Sequence, residues 1–196
     1  MNLGKLLPLY TRKKKAAILG LDPSPSGVTG YFRLELEDNR VIRCTHGIGQ
    51  LYEVLSSSST PSTLVVIDAP LALPYKGFRR VERKAISILG ARLLPGSLKG
   101  MRALTMLGLS LLWLHEESAS LPVETHPGST RQILDLSREI PKSDTNDAFI
   151  AAATGYCLAL DNAVVITGVD GIMVFPRKDC RRVFVELFKR CFNATF

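Results

Sequence analysis

The stretch AAILGLDPSPSG, Ala16–Gly27, decides how this chain is read. Six apolar or small residues, Ala16 to Leu21, predict a short buried strand. The run ends in Asp22, and Pro23, Pro25 and Gly27 stop it within five residues. An unpaired carboxylate is costly to bury, so an acid at the tip of a core strand calls for a partner. A hydrogen-bond donor, a basic side chain or a cation would each serve.

Working outward, Val28–Glu37 alternates apolar and polar residues and predicts a half-buried antiparallel strand. Asp38-Asn39 turns the chain, and Val41–Thr45 returns as a third strand. A short helix is expected over Ile48–Leu55 and a serine-rich loop over Ser56–Ser62. Thr63–Ile67, TLVVI, is β-branched and uninterrupted, which suits a parallel strand buried on both faces. It too ends in an aspartate and a proline break, Asp68-Ala69-Pro70. Leu121–Glu124 is a third short strand closing on an acid, before Thr125-His126-Pro127.

Residues 76–117 read as a helical insertion. Its first half carries Arg79, Arg80, Arg83, Lys84, Arg92, Lys99 and Arg102 against Glu82 alone. A solvated helix face and a surface for a phosphate backbone account for this equally well. Met101–His115 is a leucine- and methionine-rich core helix. Helices are expected at Ser129–Leu136 and Ala148–Leu160, then a hairpin of Val164–Thr167 with Ile172–Phe175. Lys178–Cys191 is a closing basic amphipathic helix.

A chain of 196 residues fits one domain, 16–196, behind a basic leader of residues 1–15. The net charge of +7 favours an anionic partner such as nucleic acid. No apolar run reaches the roughly 20 residues of a membrane span, so no membrane partner is expected. Cys44, Cys157, Cys180 and Cys191 are scattered without CxxC spacing, which disfavours zinc. They read as small core or surface residues in a reducing, cytoplasmic setting. There is no GxSxG elbow for a serine nucleophile.

Asp22, Asp68 and Glu124 thus end predicted strands, and the carboxyl ends of parallel strands form a natural ligand crevice. Asp144 and Asp147, three apart, share one face at a helix start. Singly, each acid has a plain alternative: Asp22 and Asp68 could open turns, Asp144 could cap a helix, and Glu124 could pair with an arginine. Five together favour a hard cation, Mg2+ or Mn2+, held by carboxylate oxygen. Two such ions about 4 Å apart support phosphodiester hydrolysis. His126 could orient water or an acid, and a turn role serves it as well.

ILGLDPSPSG, VVIDAPLALP, VETHP and SDTNDAFIAA, in that order, resemble the domain-of-unknown-function family 429, described as predicted nucleases with an RNase H-like fold. GFRRVERK and VDGIMVFPR also resemble that family, so the likeness runs from Ala16 to Arg177. The first motif and the DxxD helix are similar to resolvases of the RuvC type, which cut branched DNA with divalent metal. The resemblance implies an α/β, RNase H-like mixed sheet of three antiparallel and then parallel strands. It implies a catalytic quartet of Asp22, Asp68, Asp144 and Asp147, with Glu124 an additional acid. Asp22 would bridge two ions, Asp68, Glu124 and Asp147 would complete the ligand set, and Asp144 would assist. Arg79, Arg80, Arg83 and Lys84 would bind DNA or RNA phosphates, and likeness to resolvases leaves a homodimer open. The rival readings are a non-catalytic nucleic-acid-binding or scaffold protein and, more remotely, a sugar-kinase-like phosphotransferase, which needs two such domains.

Overall fold

The computed structural model describes residues 15–58, 63–73, 77–95, 98–115 and 122–192, with Ser58 and 112–115 described in backbone alone. Nearly all of the leader and part of the serine-rich loop lie outside these residues. Seven strands form one mixed sheet: β1 Lys15–Pro23, β2 Val28–Glu37, β3 Arg40–Gln50, β4 Thr63–Ile67, β5 Val123–Glu124, β6 Ala163–Gly168 and β7 Gly171–Pro176. Their spatial order is β3-β2-β1-β4-β5-β7-β6. The β1–β2–β3 meander and the β6–β7 hairpin are antiparallel, whereas β4, β5 and β7 follow β1 in parallel.

The described helices are α1 Leu51–Ser58, α2 Arg80–Leu89, α3 Lys99–His115, α4 Pro127–Leu134, α5 Asp144–Ala159 and α6 Arg181–Phe192. The insertion is thus two helices, α2 and α3, broken at Leu94-Pro95. Strand β3 runs to Gln50, further than expected, because Thr45–Gln50 keeps pairing with β2 and the helix begins only at Leu51. No described helix is long and apolar enough to cross a membrane.

Period-two alternation sorts the sheet's side chains between two cores. Ile18, Leu64, Val66 and Val123 face α5 and α6, together with Phe149, Phe184 and Phe188. Leu19, Leu21, Val65 and Ile67 face α1 and α3. A third cluster, with Val81, Ala85, Met173 and Phe175, seats α2 on β6 and β7.

Helix α5 is buried nearly all round, as its DTNDAFIAAATGYCLA composition permits. It lies against the sheet backbone itself. A Cβ on Gly20 would overlap the Ala148 carbonyl and the Ala152 nitrogen, and one on Gly30 would overlap the main chain of Asp144. These two glycines set how closely the N-terminal half of α5 approaches β1 and β2.

One cysteine expectation is corrected. Cys44 of β3 and Cys191 of α6 form a disulfide spanning 147 residues of sequence. Tertiary proximity, invisible in the spacing, brings them together, and the inference of a reducing setting loses its basis. Cys157 and Cys180 are free and buried.

Candidate functional site

Register brings the first two acids side by side. Leu21 pairs with Ile67 in parallel, and the Asp68 amide donates to the Leu21 carbonyl at 2.9 Å. Asp22 and Asp68 therefore leave adjacent strands at the same level. Two residues beyond Gly20 and Val66 respectively, both side chains face α5. Asp22 also lies opposite Gly30, the residue over which Asp144 packs. The missing Cβ of Gly30 thus brings the α5 first turn over Asp22.

Within α5 the N-cap is Ser143, whose hydroxyl accepts from the Asn146 amide at 3.2 Å. Asp144 and Asp147 are relieved of capping duty. Asp144 is exposed, and Asp147 is buried with one oxygen held by the Arg131 guanidinium. Arg131 comes from α4 and also donates to the Ile140 and Pro141 carbonyls, each at 3.2 Å. It was not foreseen from the sequence, because its partner lies 16 residues away on another helix.

Electrostatics mark the group as unusual. Burial, then Asp147 and Asp144, push the Asp22 carboxyl up to about 7, against the pull of Arg131 and Lys142. Burial, then Asp22, Asp147 and Glu124, push Asp68 well above the ordinary range. Burial also raises Asp147 despite Arg131. Asp144 and Asp147 thus act on Asp22, and Asp22, Asp147 and Glu124 act on Asp68, with Arg131 opposing at both. Among the described residues, no ion pair reaches Asp22 or Asp68.

Glu124 lies near enough to Asp68 to push its carboxyl up, but it is held differently. Its neighbour Val123 faces α5, so alternation turns Glu124 to the opposite side of the sheet. There Arg79 grips both of its oxygens, and the Leu71 amide donates to one at 3.2 Å. Arg79 also donates from Nε to Glu82 at 2.8 Å, and it is 1% exposed. Its guanidinium is spent on two buried carboxylates and is withdrawn from the basic surface. Arg80, Arg83 and Lys84 remain exposed, with Lys84 Nζ donating to the Thr167 carbonyl at 2.8 Å.

His126 takes the turn role. Its Nδ1 accepts from the Ser129 amide at 3.0 Å and so caps α4. Burial, assisted by Lys142, lowers its pKa to about 4. A cavity of about 130 Å³ lies between Asp68 and Glu124, lined also by His126, Leu93, Met101 and Met173.

Among the described residues, no three Asp, Glu, His or Cys side chains form a ready-made metal cage. The reason is visible: Asp147 turns to Arg131 and Glu124 to Arg79. The donor chemistry still fits a hard cation, since Asp22 and Asp68 are part-buried, mutually repelling oxygen donors and the exposed Asp144 also acts on Asp22. No family model matches the chain, and no curated protein or solved structure does so.

Proposed function

We propose that this protein is a divalent-metal-dependent nuclease, an RNase H-like domain related to the family 429 proteins its motifs resemble. The observation that carries this reading is the gathering of Asp22, Asp68, Asp144 and Asp147 at one sheet end, with their charge only partly offset. Burying like charges without full pairing destabilises the fold, so such an arrangement points to a task rather than to stability. The antiparallel meander continuing into parallel strands is consistent with the RNase H-like sheet.

Asp22 and Asp68 would hold Mg2+ or Mn2+, with Asp144 closing the set from the helix. When bound, the ion supplies an activated water and positive charge beside the leaving oxygen. Arg131 holds one oxygen of Asp147. Arg80, Arg83 and Lys84 would take backbone phosphates of DNA or RNA. Glu124, the fifth acid, is assigned a structural role through Arg79.

Calorimetric titration of manganese into wild type and Asp22→Asn, with labelled DNA and RNA cleavage in parallel, tests the reading. Metal binding and cleavage lost together in the variant would support it. Cleavage intact in Asp22→Asn would overturn it. Salt-sensitive nucleic-acid binding with no cleavage under any divalent ion would favour the non-catalytic binding protein, a reading to which the two arginine-paired acids lend some weight.

A further inference from the structure

The cavity between Asp68 and Glu124 has walls unlike the acid cluster beside it. Leu93 and Leu94 follow α2, Met101 and Leu104 lie on α3, and Met173 lies on β7. Three separate parts of the chain thus bring apolar side chains to one space of about 130 Å³. Leu94 is 59% exposed and marks the mouth.

Most polar groups in the wall are already engaged. Glu82 and Glu124 accept from Arg79, and the Thr125 hydroxyl donates to the Val174 carbonyl at 2.8 Å. His126 is different. Its Nδ1 accepts from the Ser129 amide at 3.0 Å, which puts the ring proton on Nε2 as one neutral donor. Among the described residues, no acceptor takes that proton.

Size and chemistry narrow the occupant. A dry apolar cavity of about 150 Å³ takes up benzene, so this smaller space suits one six-membered ring rather than a fused pair. Two methionines favour an aromatic ring, because thioether sulfur makes favourable contacts with π systems. The His126 donor calls for a carbonyl oxygen on that ring, and the glutamates, both held by Arg79, offer nothing to a cation. A planar, neutral, single ring bearing a carbonyl describes a pyrimidine base. The position agrees. Asp68 belongs both to this wall and to the strand end it shares with Asp22, and one sugar joins a base to its phosphate.

We propose that this cavity receives one pyrimidine base of the nucleic-acid substrate, swung out of its stack, while the phosphate of the same nucleotide lies at Asp22 and Asp68. The inference rests on the nuclease reading for its ligand and deepens it by naming a base preference. His126 would donate to the carbonyl beside the sugar-bearing ring nitrogen, which every pyrimidine has. Unstacking costs least where the strand is unpaired, so single strands are the expected ligands.

The test is nuclear magnetic resonance of the metal-free full chain with methyl-labelled methionine, titrated with free nucleosides so that no phosphate meets the acids. Thymidine and deoxycytidine should shift the Met101 and Met173 methyl signals. Met106, also on α3 but 56% exposed and outside the wall, should stay in place, and deoxyadenosine should shift none of them. Leu94→Trp, which fills the cavity from an exposed position, should weaken thymidine binding about tenfold or more with no drop in melting temperature. Unmoved Met101 and Met173 signals with thymidine at its solubility limit would overturn the proposal. So would equal shifts with deoxyadenosine, or undiminished binding in Leu94→Trp. Should that variant fail to fold, Met101→Phe closes the cavity from α3, and the same loss is read at Met173. The two readings fail separately. Selective methyl shifts in a protein that cleaves no nucleic acid would support the base site and overturn the nuclease. Cleavage without methyl shifts would overturn the base site alone.

Discussion

The two faces of the sheet at its carboxyl end both hold buried acids and treat them in opposite ways. On the α2 face, Glu82 and Glu124 converge on one buried arginine, and each oxygen of Glu124 receives a donor. On the α5 face, Asp22, Asp68, Asp144 and Asp147 gather around Arg131, which contacts only Asp147. Burial raises carboxyl pKa values on both faces. The difference is compensation: one cluster is closed and structural, the other open and charged. Acid count alone does not mark a site; what marks it is acid without sufficient base.

The comparison predicts substitutions of opposite sign. Arg79→Ala strands two buried carboxylates, and loss of one partner from a buried ion pair costs about 3–5 kcal/mol. Denaturant unfolding should register that loss, the largest of the set, and an unchanged midpoint would dissolve the distinction between the faces. Asp22→Asn should instead stabilise the metal-free protein at pH 8, on the order of 2 kcal/mol, while removing metal-dependent cleavage.

The pH dependence follows from the same carboxyl. In the fold Asp22 titrates at about 7, above its ordinary 3.8. The folded state therefore binds this proton more tightly than the unfolded chain does. The stability it contributes is complete below about pH 4 and is lost as pH rises through 7. Between pH 5 and 8, thermal melts of metal-free wild type should drop relative to those of Asp22→Asn. The lowered His126 pKa acts in the opposite direction, but equally in both. Equal slopes would mean that Asp22 is not the strained group.

Much of this was legible in the residues. TLVVI gave β4 to the residue, and Asp22 and Asp68 were read at strand tips, because a β-branched run closed by Asp and a proline break is local information. Asp144 and Asp147 on one helix turn were equally readable. The face of Glu124 was not, because it depends on the parity of a two-residue strand set by its neighbours. Arg131, Arg79 and the Cys44–Cys191 bond were hidden for a related reason. Each acts on a residue distant in sequence, and side-chain spacing carries no record of such pairings.

Gly30 offers an intermediate test, because the first turn of α5 approaches Asp22 through this residue. Gly30→Ala would press a methyl into the Asp144 main chain, at a cost of about 1–3 kcal/mol for overpacking. It should also weaken manganese binding by moving the α5 first turn away from Asp22. Stability loss with unchanged metal affinity would separate the helix from the site.

The smallest effect concerns the arginines themselves, where neighbouring residues have opposite fates. Arg79 is sealed inside, whereas Arg80 and Arg83 on the same helix start are exposed. Exposed substitutions away from special contacts change stability by about 0.5 kcal/mol or less, so Arg80→Ala with Arg83→Ala should melt like wild type. If both side chains meet phosphates, the double variant should bind duplex DNA more weakly across all sequences. Its log–log salt dependence should then be shallower by about two, roughly one for each contact removed. A salt slope identical to wild type would return these arginines to the solvated face of α2. The acid site would then need its nucleic-acid contacts from elsewhere on the basic surface.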